Sequence, residues 1–345
     1  MNKKPIIGIT MGDPASIGPE ISAKVLSNAA IYDNCKPIII GEKSLMEEAL
    51  KTVGIKDMSV NPITSVSEAK FIYGSIDVID MGITNFEEIT AGKISAKSGE
   101  ASFRYVEKVI NLAMDKEIDA TVTNAISKEA INLAKHNYAG HTEIYAKLTN
   151  TKKYSMMLAH GDIRVVHVST HVSLRQACEL VKEERVLEVI LLASKACKAI
   201  GIKSPKIAVS GLNPHSGEAG MFGTEEIEEI IPAIEKARSK NINVEGPVPP
   251  DTIFPKARGG WYDIVVAMYH DQGHIPLKLE GFVYDKEKQA WSAVAGVNIT
   301  LGLPIIRTSV DHGTAMDMAY KNTASPLSLE NAIDYAIKLV GGRNG

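Results

Sequence analysis

The fold is decided by the stretch Asp263-Ile-Val-Val-Ala-Met-Tyr-His-Asp-Gln-Gly-His-Ile-Pro-Leu-Lys278. Its opening run is apolar and β-branched, which is typical of a buried strand in a parallel sheet. Ligands of open α/β sheets bind beyond the carboxyl ends of the strands, where this stretch collects two imidazoles, a carboxylate and an ammonium group. Because it contains Gly273 and Pro276, we expect a shaped loop here rather than an immediate helix. A polar surface loop that binds nothing is the alternative interpretation.

Outward from this stretch, apolar runs alternate with helical patterns, which indicates an α/β fold with a largely parallel, doubly wound sheet. We predict strands at 5–10, 37–41, 76–81, 119–123, 154–158, 163–168, 206–210 and 263–267. We predict helices at 45–53, 95–116, 186–200, 225–240 with a kink at Pro232, and 327–339, and an irregular stretch at 281–295. The sequence contains no repeat or low-complexity linker, so we expect a second lobe inserted into the first.

Composition excludes several classes of protein. A chain of 345 residues with 45% hydrophobic and 23% charged residues is an ordinary globular protein with room for two lobes. Its net charge of -3 does not favour nucleic-acid or membrane binding. Cys35, Cys178 and Cys197 form no CxxC pair, and no apolar run reaches the length of a signal or membrane segment. We therefore expect a cytoplasmic protein with reduced, buried thiols.

Three histidines each follow a predicted strand, namely His171, His215 and His270. Zinc and similar ions accept three imidazoles and keep an open position for water or substrate. The histidines lie 44 and 55 positions apart in the chain, so any metal site must be assembled by the fold. Hydrogen-bonding roles at strand ends remain the alternative.

Other segments carry candidate ligand-binding groups. His141 and Thr142 open a helical pattern and could contact a substrate oxygen, or Thr142 could simply cap the helix. Arg307 could hold a carboxylate or phosphate through two parallel hydrogen bonds, or pair with a structural acid. The glycine-bearing loop around Gly12 and Asp13 precedes a helix, an arrangement that lets a ligand approach backbone N–H groups.

Taken together, these segments resemble the 4-hydroxythreonine-4-phosphate dehydrogenase family, over almost the whole chain. The resemblance is carried by Met11-Gly-Asp-Pro-Ala-Ser-Ile-Gly-Pro-Glu20, Gly140-His-Thr-Glu143, Thr170-His171, Gly211-Leu-Asn-Pro-His-Ser-Gly-Glu218, Pro250-Asp-Thr252, Tyr269-His-Asp-Gln-Gly273 and the run from Asn298 to Ala315. The chain is also similar, more remotely, to isocitrate and isopropylmalate dehydrogenases, which have segments like Gly12–Glu20 and His312–Ala315.

The resemblance implies a two-lobed fold of the isocitrate and isopropylmalate dehydrogenase type, with mostly parallel sheets and helices on both faces. It implies a first, cofactor-side lobe of 1–125 plus 300–345 and a second lobe of 126–299 with metal, substrate and dimer contacts. The active site would lie in the cleft between the lobes. A homodimer is implied, in which the partner subunit completes the active site.

The resemblance also implies roles for individual residues. It assigns His171, His215 and His270 to a divalent cation (Zn, Mg, Co or Mn), and His141, Thr142, Lys278, Asn298 and Arg307 to the substrate. Lys278, Asp251 and Asp271 are the candidate catalytic residues, the two aspartates as proton relays or as carboxylates that orient imidazoles. Asp271 could equally be a structural acid in a turn. By the remoter similarity, NAD would bind near Gly12, Asp13, His312, Gly313 and Thr314.

Three departures separate this chain from the family's biosynthetic enzymes. Ser16 stands where glycine is common, His274 stands where they carry an apolar residue, and extra residues lie between Phe282 and Ala295. The last two resemble a sister branch that acts on 4-phospho-D-threonate or 4-phospho-D-erythronate. We therefore favour sugar-acid metabolism over vitamin B6 synthesis, and we expect His274 to bias the site towards a C2 hydroxyl.

The activity implied is NAD-dependent and metal-dependent oxidation and decarboxylation of a 4-phosphorylated four-carbon hydroxy acid, giving dihydroxyacetone phosphate and CO2 from phospho-D-threonate. Three alternatives remain: 4-phosphohydroxy-L-threonine dehydrogenase of pyridoxal phosphate biosynthesis, an aromatic cis-dihydrodiol acid dehydrogenase, and a sugar-phosphate binding protein without catalysis.

Overall fold

The computed structural model describes residues 4–286 and 290–343. The chain falls into two units, the first comprising Met1–Lys152 and Leu303–Val340 and the second comprising Lys153–Gly302 and Gly341–Gly345. The resemblance assigns residues 126–152 to the second lobe, whereas in the structure they belong to the first unit. His141, Thr142 and Arg307 therefore belong to the first unit, and His171, His215 and His270 belong to the second.

The first unit contains a sheet whose neighbouring strands run parallel. Its strands are β1 (Ile6–Thr10), β2 (Lys36–Gly41), β3 (Ser59–Ile63), β4 (Ser75–Asp80), β5 (Ala120–Thr123) and β14 (Arg307–Val310). They lie in the order β3-β4-β2-β1-β5-β14. Apart from Ile6 at the start of β1, the apolar side chains of β1, β2 and β5 are buried, as expected for central parallel strands covered on both faces.

Helices connect these strands. They are α1 (Gly18–Leu26), α2 (Ala29–Asn34), α3 (Lys43–Val53), α4 (Ala96–Met114), α5 (Lys128–Leu133), α6 (His141–Leu148) and α12 (Leu327–Arg343). The longest, α4, begins after Ser95, whose side chain accepts a hydrogen bond from the Ser98 amide. That cap satisfies one of the free amides of the first turn. The prediction of a helix at 95–116 is confirmed.

The second unit contains a mixed sheet with a parallel half. Its strands are β6 (Ser155–His160), β7 (Ile163–His167), β8 (Ile207–Ser210), β9 (Val244–Val248), β10 (Ile264–Ala267) and β13 (Val297–Leu301), in the order β13-β6-β7-β10-β8-β9. The pairs β13–β6 and β6–β7 are antiparallel. The predictions for these segments are confirmed: 263–267 contains the buried parallel strand β10, and the predicted strands at 154–158 and 163–168 correspond to β6 and β7.

The helices of the second unit are α7 (Leu174–Leu180), α8 (Glu183–Ala199), α9 (Ile231–Ser239), α10 (Pro250–Arg258) and α11 (His270–Gly281). A π-helical turn at Glu226–Ile230 precedes α9, and Pro232 lies in the first turn of α9. No helix within the described ranges is long and apolar enough to cross a membrane.

Two predictions about local structure are wrong. The strand β3 was missed because it contains Pro62, which is tolerated only at the edge of a sheet, and because only Ile63 of its five residues is buried. The expected irregular stretch contains an antiparallel hairpin of β11 (Phe282–Asp285) and β12 (Ala290–Val294). Residues 287–289 of the predicted insertion lie outside the described residues.

The prediction of a loop after β10 is also wrong, because α11 begins at His270 itself and continues through Pro276. Tertiary packing overrides the local signals: Leu277 is buried in the core of the second unit, and Gly273 packs against β7. A Cβ at Gly273 would overlap with His167 Nε2 and approach Val165 Cγ1 to 2.7 Å. Here glycine permits a close helix–strand approach rather than breaking the helix.

Candidate functional site

Three neighbouring parallel strands of the second unit carry the three predicted metal ligands. Strand β10 pairs with β7 on one side and with β8 on the other, in parallel register. His171 follows β7, His270 follows β10 and His215 follows β8. The sheet order thus brings residues that are distant in sequence to the carboxyl edge of three adjacent strands.

His171 and His270 lie close together, with ring centroids 5.9 Å apart. His215 lies in a turn where five successive residues have left-handed backbone angles, and its side chain is exposed. The φ angles of His215, Ser216, Gly217, Glu218 and Ala219 are 54°, 58°, 81°, 43° and 54°. Within the described ranges, no three His, Cys, Asp or Glu side chains are grouped so that they could hold one metal ion. The structure therefore brings together two of the three predicted ligands.

Two of these imidazoles are oriented by a carboxylate. The Nδ1 atom of His270 lies 2.6 Å from Asp271 Oδ1, and the Nδ1 atom of His215 lies 2.9 Å from Glu218 Oε1. A proton on Nδ1 would be donated to the carboxylate and would leave the Nε2 lone pair available. Metal-binding histidines commonly have this arrangement, in which the carboxylate fixes the tautomer and the ring orientation.

Behind His270, two further imidazoles continue the cluster. His274 is only 7% exposed, and its ring stacks on the His270 ring at a centroid distance of 3.6 Å and an interplanar angle of 10°. His167 is 1% exposed and its ring centroid lies 4.7 Å from that of His274. Burial lowers the pKa of His274 to about 3 and that of His167 to about 4, with neighbouring histidines adding to both shifts. Both rings are therefore neutral at ordinary pH.

The remaining predicted residues of the second unit are more dispersed. Lys278 Nζ lies 5.0 Å from the centroid of the Phe282 ring. Asn298 Nδ2 lies 3.0 Å from Met156 Sδ, and Asn298 Oδ1 is buried without a hydrogen-bond partner. Asp251 lies exposed in the first turn of α10. Asp271, hydrogen-bonded to His270, is the predicted catalytic residue most directly tied to the histidine cluster, and Lys278 lies two turns further along the same helix.

In the first unit, Arg307 is an almost fully buried cation with 2% exposure. Its Nη2 donates to Thr123 Oγ1 at 2.9 Å, and its guanidinium carbon lies 5.6 Å from the centroid of the Tyr145 ring. Burial lowers the pKa of Arg307 to about 10, while Tyr145 and Glu143 oppose the shift. The guanidinium stays protonated and is held by polar and aromatic neighbours.

His141 and Thr142 begin α6, directly after Gly140, and both are half-buried. The Nε2 atom of His141 is inaccessible to solvent and has no hydrogen-bond partner. Burial, with Arg307 adding to it, holds the pKa of His141 well below its usual range. A neutral imidazole with a free ring nitrogen can donate to or accept from a substrate oxygen.

The two segments assigned to the cofactor lie together in the first unit, since the Ile17 amide donates to Thr314 O at 3.3 Å. Gly12, with a φ of 77°, lets the loop turn beside Asn124, and Gly313 is exposed with open space around its Cα. Asp13 is 0% exposed, and its Oδ1 accepts from the Ala15 amide at 2.9 Å. Burial raises the pKa of Asp13 to about 6 although that hydrogen bond lowers it.

Sequence reasoning missed His167, Thr123 and Tyr145. A signal existed only for His167, which ends the apolar run Ile163-Arg-Val-Val-His167 where a further apolar residue would be typical. Thr123 and Tyr145 contact Arg307 through sheet pairing and helix packing. Their types alone do not distinguish them from ordinary core residues.

Known proteins resemble this chain over nearly its full length. A family model described as "Pyridoxal phosphate biosynthetic protein PdxA" matches residues 33–336. A relative from Oceanobacillus iheyensis named "Putative D-threonate 4-phosphate dehydrogenase" is 49% identical over 98% of this chain and 99% of its own length. A crystal structure of a 4-hydroxythreonine-4-phosphate dehydrogenase from Klebsiella pneumoniae is 40% identical, with a TM-score of 0.85, 98% of this chain and 100% of that chain covered. A terephthalate 1,2-cis-dihydrodiol dehydrogenase from Burkholderia xenovorans is 26% identical, with a TM-score of 0.67, 97% of this chain and 98% of that chain covered.

Proposed function

Because this chain belongs to the family of the pyridoxal phosphate biosynthetic protein PdxA, we propose that it is a dehydrogenase of a phosphorylated four-carbon hydroxy acid. The substrate we infer is 4-phospho-D-threonate, or its C2 epimer 4-phospho-D-erythronate. NAD accepts the hydride, and dihydroxyacetone phosphate and CO2 are the products. The name of the Oceanobacillus iheyensis relative, which shares almost half of its residues with this chain, supports that choice.

The pairing of imidazoles with carboxylates is the observation that carries a metal-dependent mechanism. His270 and His215 each have Nδ1 beside a carboxylate oxygen, and His171 lies next to His270. The donor chemistry fits a divalent cation with borderline or nitrogen-preferring character, such as zinc or cobalt, and also accepts manganese or magnesium. When bound, the cation would lower the pKa of the substrate alcohol and neutralise developing negative charge on its oxygen.

A homodimer would supply the third imidazole ligand that is not grouped with the other two among the described residues of one chain. Within the described part of one chain, two of the three histidines lie close together, while His215 is exposed on its turn. An exposed, carboxylate-oriented imidazole is suited to contributing to a site shared with a second copy. We therefore propose that the active site is completed by the partner subunit, with three imidazoles drawn from the two chains.

The protein's own groups would bind the substrate and move protons. Arg307 and Lys278 would hold the charged ends of the acid, while Asn298 and His141 contact its hydroxyl groups. NAD, when bound, would accept the C3 hydride, and Asp271 or Asp251 would take the hydroxyl proton. The resulting ketone lies β to the carboxylate, so the C1–C2 bond can break and CO2 can leave with an enolate remaining. Lys278 would then supply the proton that C2 of the enolate needs to give dihydroxyacetone phosphate.

The residues of the first unit fit a dinucleotide in part. His312 and Thr314 are partly accessible, and Gly313 leaves open space for a ligand. Asp13 is fully buried, so we assign it to shaping the loop that Gly12 turns, rather than to direct contact with NAD. When bound, NAD supplies the hydride acceptor.

A second candidate is 4-phosphohydroxy-L-threonine, which carries an amine at C2. The Klebsiella pneumoniae protein, a 4-hydroxythreonine-4-phosphate dehydrogenase, supports this candidate at 40% identity. The neutral imidazole of His274 offers no negative charge to pair with an ammonium group, and this favours the hydroxy acid. An aromatic cis-dihydrodiol acid has the weakest support, at 26% identity, and it carries carboxylates but no phosphate group.

The experiment is a substrate panel with the purified protein. NADH formation is measured with 4-phospho-D-threonate, 4-phospho-D-erythronate and 4-phosphohydroxy-L-threonine, each with added divalent cation and with a chelator. We expect the highest kcat/KM on one of the hydroxy acids, with release of CO2 and loss of activity under chelation. Preference for the amine would replace this proposal with the second candidate, and no NADH with any of the three would contradict both.

A further inference from the structure

We propose that His167 is a positioning residue that acts through His274 to hold the ring of His270 in its ligand orientation. This inference deepens the proposed function and rests on it, because it assumes that His270 binds the metal. Three imidazole rings pack in series from the interior of the second unit to the edge of its sheet. A ring at the interior end can therefore restrain the ring at the edge.

The interior end of the series is fixed by strand pairing. His167 is the last residue of β7, and its carbonyl accepts a hydrogen bond from Ser155 Oγ at 2.6 Å. Its Nδ1 lies 3.2 Å from Met156 O, and because a carbonyl only accepts, Nδ1 carries the proton. The tautomer and the ring plane of His167 are thereby set by β6, independently of any ligand.

The middle ring, that of His274, is restrained by one hydrogen bond and by contacts with the two other rings. His274 Nδ1 donates to His270 O at 2.9 Å, which ties the ring to the first turn of α11. One face of His274 is covered by the His270 ring, and the His167 ring packs at 41° to His274. His274 therefore has little freedom to rotate while His167 is present, and the His270 ring stacked on it is restrained in turn.

The arrangement excludes a proton relay through the three rings. Parallel rings at 3.6 Å cannot form a ring-to-ring N–H···N bond, and the Nδ1 protons of His167 and His274 go to carbonyl oxygens. The three rings can therefore restrain one another's orientation, but they cannot pass a proton from one to the next.

An imidazole at position 167 is costly unless it has a role. Its Nε2 is buried without a hydrogen-bond partner, whereas leucine would fill a similar volume without that unsatisfied nitrogen, at the cost of the Nδ1 hydrogen bond to Met156 O. The ring also constrains α11, because Nε2 occupies the space that a Cβ at Gly273 would need. The site thus keeps a flat, rigid ring although one of its nitrogen atoms is buried and unsatisfied.

The test measures zinc affinity of the folded apoprotein by competition with a chromophoric chelator. We expect His167→Leu to weaken zinc binding about tenfold or more, the range seen when a group that orients a metal ligand is removed, while the apoprotein melts at the same temperature or higher. His160→Leu is the matched control: His160 also ends a strand with a buried, unpartnered ring nitrogen, but it packs against Gly281 at the far end of α11. The control should leave zinc affinity unchanged.

A second variant keeps the test decisive if His167→Leu does not fold, and a double-mutant cycle tests whether His167 acts through His274. His167→Asn retains a donor for Met156 O but removes the ring, and should show the same loss of affinity. If His167 acts through His274, then His167→Leu combined with His274→Leu should bind zinc as His274→Leu does alone, rather than with the product of the two losses. Unchanged zinc affinity in both His167 variants overturns this inference alone. A wild-type protein that binds no zinc or other divalent cation overturns it together with the metal-dependent function.

Discussion

Replacing Asp13 by Asn should stabilise the protein at alkaline pH and have little effect near pH 4. Asp13 is fully buried, and Asn keeps the oxygen that accepts from the Ala15 amide while removing the charge. Burial raises the pKa of Asp13 from 3.8 to about 6. The folded state therefore holds the proton more tightly than the unfolded state, and stability falls as pH rises between these values.

The magnitude follows from the shift. Each pKa unit corresponds to about 1.4 kcal/mol, so ionised Asp13 costs the folded state about 3 kcal/mol above about pH 7 and only about 0.5 kcal/mol near pH 4. The assay is urea unfolding followed by circular dichroism, for wild type and Asp13→Asn, at about pH 8 and about pH 4. Asp33→Asn, which removes a solvent-exposed carboxylate on α2, is the matched control.

We expect the free energy of unfolding of Asp13→Asn to exceed that of wild type by about 3 kcal/mol at the higher pH, with the curves converging at the lower. A gain that is the same at both pH values, or a loss at the higher one, would refute the reasoning. Lower activity in this more stable variant would indicate that the cofactor loop retains a buried charge for function.

The remaining predictions concern the ligand-binding residues. His270→Ala should lose the metal and turnover with little change in melting temperature, since the second unit has its own core; elemental analysis showing full occupancy would contradict the assignment. Arg307→Lys keeps the charge but loses the planar fork, so kcat/KM should not recover relative to Arg307→Ala, and near-normal kinetics would make Arg307 structural. Measured at saturating metal, so that a change in metal affinity does not enter, His274→Leu should lose about 1–3 kcal/mol in kcat/KM on 4-phospho-D-threonate, the value of one buried hydrogen bond, and little on the amine analogue. Equal losses on both substrates would count against a role in specificity.

Strands with a continuous apolar run could be predicted from the sequence, because burial on both faces of a parallel sheet leaves a plain signal. The strands β1, β2, β8 and β10 are of this kind, and all were predicted. The strand β3 carries no such signal, because an exposed edge strand gains little from apolar residues.

The helix α11 shows why local signals failed at the site itself. Gly273 and Pro276 weaken an isolated helix, but in the folded protein Gly273 meets His167 and Leu277 enters the core. The contact between Gly273 and His167 joins residues more than a hundred positions apart, so no local rule contains it. Likewise, the histidines could be named from the sequence, but their proximity depends on the order β7-β10-β8.

The left-handed turn that carries His215 has a consequence for the rate of metal capture. Residues other than glycine cost about 1–2 kcal/mol each in the left-handed region of backbone space. The backbone of the turn at His215–Ala219 is therefore strained, and interactions elsewhere in the folded chain must offset that strain. If His215 must move to join the other ligands, the turn has to change its backbone angles before the last bond forms. We expect metal uptake to proceed in two phases, a fast one that grows with metal concentration and a slower one that reaches a plateau set by the turn.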